Sequence, residues 1–236
     1  MIDVRPFSTL GGADHGWLKA RHHFSFANYH DPARTNWGRL RVWNDDEIAP
    51  GTGFDPHPHR DMEIVTYVRD GAITHRDSMG NEGRTEAGDV QIMSAGTGVV
   101  HSEYNLEPET TRIFQIWIVP DRRGAAPHWG AKAFPKASRE AGFEVLASGR
   151  PGDAGNGALP LNVDGAVMAA TLKAGQTVTL PLARGRAAYL VPARGAVTVN
   201  GAAVGARDGA AIRDEPELAI AATEDAELVL VEVAAE

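Results

Sequence analysis

Two short pairs of side chains in this sequence have the makings of a metal site. His57 and His59 flank a proline, and His101 and Glu103 flank a serine. Residues two apart on a strand point to the same face. Two such strands meeting in a sheet or barrel would aim three imidazoles and a carboxylate at one point. That donor set suits a divalent transition metal, and four protein ligands leave open positions on an octahedral ion. Glu63 is a second carboxylate within reach in sequence, so either Glu63 or Glu103 could complete three histidines. A lone histidine is usually a core or surface residue with a satisfied hydrogen bond. Two pairs of equal period are much harder to produce by accident.

The surroundings of the pairs are those of short strands. The first pair follows Gly51-Thr-Gly53, and Gly71 closes the next strand; the second follows Gly88-Asp89 and Ser94-Ala-Gly-Thr-Gly98. Apolar runs punctuated by glycine and proline recur along the chain, as at 40–43, 63–68, 90–93, 113–119, 178–182, 197–199 and 228–233, and predict an all-β sandwich or barrel. Asn200-Gly201 between two such runs is a two-residue hairpin signal. The triplet Asn44-Asp45-Asp46 reads as a turn. Only 136–141 has a helical flavour, and it is brief.

A weak internal repeat relates the two halves. Gly71-Ala-Ile-Thr74 resembles Gly195-Ala-Val-Thr198, and Gly88-Asp-Val-Gln-Ile92 resembles Gly209-Ala-Ala-Ile212. Counting from these anchors, the ligand positions of the first half fall on Pro181, Ala183 and Ala222 in the second, and no histidine occurs after His128. The expectation is a duplicated barrel metallated only in its N-terminal copy. The boundary falls near 140, giving units of 1–140 and 141–236.

Composition excludes several classes. The 236 residues carry 31 Asp and Glu against 23 Lys and Arg. No basic run stands out, which argues against a phosphate-backbone binder. Cysteine is absent, so neither disulfides nor thiolate ligands are available. Charges at Asp3, Arg5, Asp14 and Lys19 break any signal-like apolar run, and no stretch is long enough to span a bilayer. A cytoplasmic monomer without nucleic-acid or membrane partners is expected.

The longer strings around these pairs resemble a known family. Gly51-x5-His57-x-His59-x3-Glu63 and Gly88 through His101-x3-Asn105 look like the two cupin motifs. The run 57–67 (His-Pro-His-Arg-Asp-Met-Glu-Ile-Val-Thr-Tyr), with Asp77-Ser-Met-Gly80 and Gln91-Ile-Met-Ser-Ala-Gly-Thr-Gly98 before His101-Ser-Glu103, is more specific. It resembles the pirin family, and bacterial pirin-like quercetin 2,3-dioxygenases in particular. The match extends to His22-His-Phe-Ser-Phe-Ala-Asn-Tyr29 and Gln115-Ile-Trp117, dense over the first 120 residues and loose beyond.

The resemblance implies a bicupin, two β-barrels in one chain with the metal in the first. It implies His57, His59, His101 and Glu103 as ligands, since pirins use the glutamate two residues after the third histidine; the period-two pairing favours the same choice. Glu63 is then expected to orient a ligand imidazole, or to be a structural carboxylate near Arg60. Iron heads the candidate ions, with nickel, copper, cobalt, manganese and zinc tolerated by the same donors. The implied activity is opening of a flavonol ring by dioxygen with release of carbon monoxide, Glu103 acting as the base for the substrate hydroxyl. Phe26, Phe54, Met93, Phe114 and Ile116 are candidates for the wall of an aromatic pocket. The competing expectation is a metal-binding sensor or regulatory protein without catalysis of its own, and a weaker third is a cupin isomerase.

Overall fold

The computed structural model describes residues 1–134, 139–140, 142–153 and 155–235. Most of the turn expected at 136–141 lies outside these. The described chain is built from strands, with a 3-10 turn at Phe7–Thr9. Each half is a seven-stranded sheet faced by a four-stranded one. The strands from Gly11–Asp14 to His128–Lys132 form the two sheets of the first half, and those from Glu144–Ser148 to Ala226–Ala234 form the two of the second. Two β-barrels in one chain are therefore present. One strand departs from this order. Ile2–Arg5 pairs antiparallel with Gly209–Arg213 and so edges the second half's large sheet.

The two large sheets share a core. Trp43, Tyr67, Phe114 and Ile116 of the first half join one buried cluster with Val167, Tyr189, Val191 and Val229 of the second. Alternation along the strands sends the intervening residues into the first barrel. This corrects part of the pocket expectation: Phe114 and Ile116 face the partner barrel, while Gln115 and Trp117 between them face the cavity. Polar contacts also cross the junction. Asp45 pairs with Arg69 and, at 2.6 Å, with Arg207 from the second half. Asn44-Asp45-Asp46 is thus no turn; it is the middle of the buried strand Leu40–Ile48, with partners on both of its faces.

Glycine is required at two kinds of place. The Asn200-Gly201 hairpin has φ of 46° and 86°, the left-handed pair that a two-residue turn demands. Gly53 lies opposite Tyr104, where an added Cβ would collide with the Glu103 carbonyl oxygen. Its lack of a side chain lets the two histidine-bearing strands close on each other.

His23 couples the junction to pH. It is fully buried, and its Nδ1 meets the Tyr189 hydroxyl of the other barrel at 2.9 Å. Burial, assisted by the charge of Arg5, drives its imidazole down from 6.5 to about 3. Between these values the unfolded chain binds a proton that the native protein does not, so stability falls as pH drops through that window. The urea midpoint should decline from pH 7 to pH 4, and His23→Gln should flatten the decline. Equal slopes in both proteins would assign it to other groups.

Candidate metal centre

The strands Thr52–His59 and Val99–Asn105 pair antiparallel, with His101 opposite His57 and Val99 opposite His59. Their side chains bring the three histidines together: one ring nitrogen from each lies within 4.8 Å of the others. No glutamate belongs to that group. A bulge between His101 and Glu103 shifts the register there, and Glu103 sits in the same cavity wall, buried.

Hydrogen bonds fix which nitrogens are free. His57 Nδ1 lies 2.7 Å from the Asp55 carbonyl oxygen, so it carries the proton and Nε2 is bare. His75 Nε2 donates to Asp77 at 3.1 Å, which leaves its Nδ1 to accept from His101 Nδ1 at 3.3 Å. His101 Nε2 is then bare as well. It faces His57 Nε2 at 3.1 Å. Two lone pairs this close repel unless something positive lies between them. The side-chain tautomers and the convergence of three histidines therefore fit a divalent cation.

Charge is arranged to the same end. Burial, then the neighbouring His57 and His75, pushes His101 down to about 3; burial, then His101 and His57, takes His59 to about 4. Both are therefore neutral in ordinary buffers, the state that metal ligation requires. Burial acts to raise the Asp77 carboxyl, but hydrogen bonds from Asn81, His75 and two backbone N–H groups outweigh it and hold it below its usual range. An anionic Asp77 thus backs His75, which backs His101. His75 also stacks on Trp129 at 4.9 Å. The link of His75 to His101 was not visible in the sequence.

Glu103 is held by an unusual set of donors. Oε1 accepts from Thr66 Oγ1 at 2.9 Å and from Gln91 Nε2 at 2.6 Å, and Oε2 accepts from Gln115 Nε2. These donors belong to one row across the large sheet, His22–Asn44–Gln115–Thr66–Gln91, each opposite the next. His22 Nδ1 bonds Asn44 at 2.9 Å at the end of that row. The row on one side is Val42–Trp117–Ile64–Met93, and on the other Ala20–Asp46–Ile113–Val68. A single polar belt thus crosses the otherwise apolar inner face of the large sheet, with Asp46 the exception. Burial, then the charges of Asp45 and Glu103, holds the Asp46 carboxyl well above its usual range.

Glu63 has a different job from the one expected. Its Oε2 accepts from Ser94 Oγ and from the Asn162 backbone N–H, the latter at 3.1 Å and belonging to the second half. It ties the barrels together and bonds to none of His57, His59 and His101 among the described contacts. Arg60 is not its partner among the described contacts.

The histidines open on a cavity of about 760 Å³. That lies within the range of small-molecule sites, roughly 300–1,000 Å³. Phe26 and Phe54 line it as expected, joined by Trp17 and Trp117; Met93 lies outside, packed in a cluster with Ile64 and Val99. Trp117 meets the His59 ring edge-to-face at 5.0 Å. In the second half the inward positions of Glu217–Ala222 are Leu218, Ile220 and Ala222, inside a wholly apolar cluster. No described helix is long and apolar enough to cross a membrane.

Known proteins agree with this architecture. Residues 3–118 match the Pirin family model, and residues 145–233 match that of the quercetinase C-terminal cupin domain. The chain is 66% identical to a pirin-like protein of Caulobacter vibrioides, over 99% of this chain and all of the relative. It is 41% identical to a protein named quercetin 2,3-dioxygenase from Escherichia coli, covering 98% of this chain and 97% of that one. The crystal structure of the bacterial pirin YhhW from Escherichia coli in complex with nickel(II) superposes with a TM-score of 0.93, at 40% identity and full coverage of both chains. With its two cupin barrels and its histidine cluster in the first, the chain belongs to the pirin family.

Proposed function

We infer that this protein is a metal-dependent dioxygenase that opens the central ring of a flavonol, taking up one dioxygen and releasing one carbon monoxide. One observation carries the reading: imidazole nitrogens of His57, His59 and His101, bare on His57 and His101, converge at the wall of an aromatic-lined cavity that also contains a fixed carboxylate. The names of relatives point the same way. In this reading the ion is held by the three histidines of the unit 1–140 together with Glu103, and the unit 141–236 binds none. When bound, a redox-active divalent ion supplies Lewis acidity and a path for electrons between an enolate and dioxygen.

The chain's own residues have separable tasks. Trp17, Phe26, Phe54 and Trp117 receive a flat aromatic ligand and exclude water from its faces. Glu103 takes the proton of the substrate enol; Thr66 and Gln91 fill both lone-pair directions of Oε1, and Oε2, which accepts only from Gln115, keeps one open. Those three donors keep it oriented through the transfer. His75 and Asp77 keep the His101 proton on Nδ1 and its Nε2 free.

Protein loaded separately with iron, nickel, copper, cobalt, manganese and zinc should be given quercetin in oxygenated buffer. Oxygen uptake matched by carbon monoxide release is expected with at least one redox-active ion and with none in the metal-free protein. No uptake with any ion, on quercetin or simpler enols, would leave the sensor reading as the better one.

A further inference from the structure

We propose that Asp46 is a specificity residue, the anchor for a ring hydroxyl of the ligand whose enol lies at the histidine cluster. This rests on the cavity being the substrate site, as inferred above. Asp46 is buried within the strand Leu40–Ile48 and lines the cavity. Its Oδ1 is shut off from solvent and has no hydrogen-bond partner among the described residues. Every other polar side chain in the neighbouring row has a partner: His22 with Asn44, and Thr66, Gln91 and Gln115 with Glu103. Buried polar groups in native proteins are nearly always paired; Oδ1 is sealed behind the cavity wall, so the oxygen a ligand can reach is the other one, which has no protein donor among the described residues either.

Folding gives no reason for a carboxyl at this position. Its register neighbours are Ala20 and Ile113, and the adjoining cluster is Leu18, Ala20, Ile48, Val68, Ile73 and Ile113. An apolar side chain at 46 would complete that cluster. Asp45, the next residue, faces the opposite way and carries the ion pairs with Arg69 and Arg207.

The chemistry of the partner follows from what surrounds the carboxyl. An ammonium group carries three donors and needs several acceptors, whereas Asp46 offers one carboxyl flanked in register by Ala20 and Ile113. One hydroxyl on an aromatic ring matches one carboxyl, and the aromatic walls suit the rest of the ring. A planar polyphenol bearing hydroxyls beyond its enol is therefore the preferred ligand over the same ring without them.

The experiment compares anaerobic binding of quercetin and 3-hydroxyflavone to the metal-loaded protein by fluorescence quenching. Both ligands carry the enol, and only quercetin has further hydroxyls. The wild type should bind quercetin at least about tenfold more tightly, the difference one satisfied buried hydrogen bond makes. Asp46→Leu should reduce that ratio to about one, with unchanged metal content and an undiminished melting temperature. Asp46→Ala should do the same should the leucine not fit, and Asp46→Asn should retain most of the preference. A ratio unchanged in both Asp46→Leu and Asp46→Ala, or a wild type with no preference, overturns the proposal while leaving the dioxygenase reading intact. A preference that Asp46 controls in a protein that consumes no oxygen upholds it and removes the dioxygenase reading. Binding of neither ligand overturns both.

Discussion

His101→Ala should reduce bound metal from about one ion per chain to background, measured by elemental analysis after equilibration with excess ion and desalting. The expectation follows from the position of His101 at the meeting point of two hydrogen-bond systems. Its Nε2 faces His57, and its Nδ1 is tied through His75 to Asp77. Removing it deletes one donor and also leaves His75 Nδ1 without a partner. His59→Ala should act in the same direction, because its nitrogen completes the converging group. His75→Ala is the informative control. It removes the support of a ligand and no ligand, so the ion should still bind, with affinity lower by about 10–100-fold. Full metal in His101→Ala would sink the assignment, and two ions per chain in the wild type would show a second site.

Glu103→Gln should separate the ion from the chemistry. The amide still offers an oxygen toward the histidine cluster, so metal content should stay near that of the wild type. It is a far poorer base, and its NH2 group would oppose the amide donor of either Gln91 or Gln115, which now point at different carboxylate oxygens. Turnover of quercetin should fall by about 10²–10⁴-fold, the usual contribution of general base catalysis. Wild-type turnover with full metal would remove Glu103 from the base role. Glu63 is a weak substitute, since its carboxylate is engaged by Ser94 and the Asn162 backbone at the barrel junction.

The histidine cluster was legible in the sequence because a strand's period of two is rigid. His57 with His59, and His101 with its partner strand, could point together in only one way once both segments were strands. The two-barrel fold followed from regular turn signals and a faint repeat. What escaped notice depended on pairings remote in sequence. Both faces of the large sheet are covered, one by the cavity and one by the second barrel, so alternation alone could not tell that Gln115 and Trp117 point inward while Phe114 and Ile116 do not. Three polar residues in succession at Asn44-Asp45-Asp46 imitate a turn. They are strand because each finds its surroundings elsewhere: Asn44 at His22, Asp45 at Arg69 and Arg207, and Asp46 at the cavity. Glu63 was misjudged for the same reason, since its partner Asn162 lies 99 positions along the chain.

The strand Ile2–Arg5, edging the far barrel, sets an order of assembly. During synthesis Ile2–Arg5 must wait for Gly209–Arg213, far along the chain, before its backbone groups find partners. The second barrel therefore cannot finish as an independent unit, and closing so long a loop places its completion late in folding. Cut away from its N-terminus, the C-terminal half would present the outer side of Gly209–Arg213 as an unpaired edge, open to pairing with other chains. The histidine-bearing barrel and its apolar companion are in this sense stitched by two strands far apart in sequence.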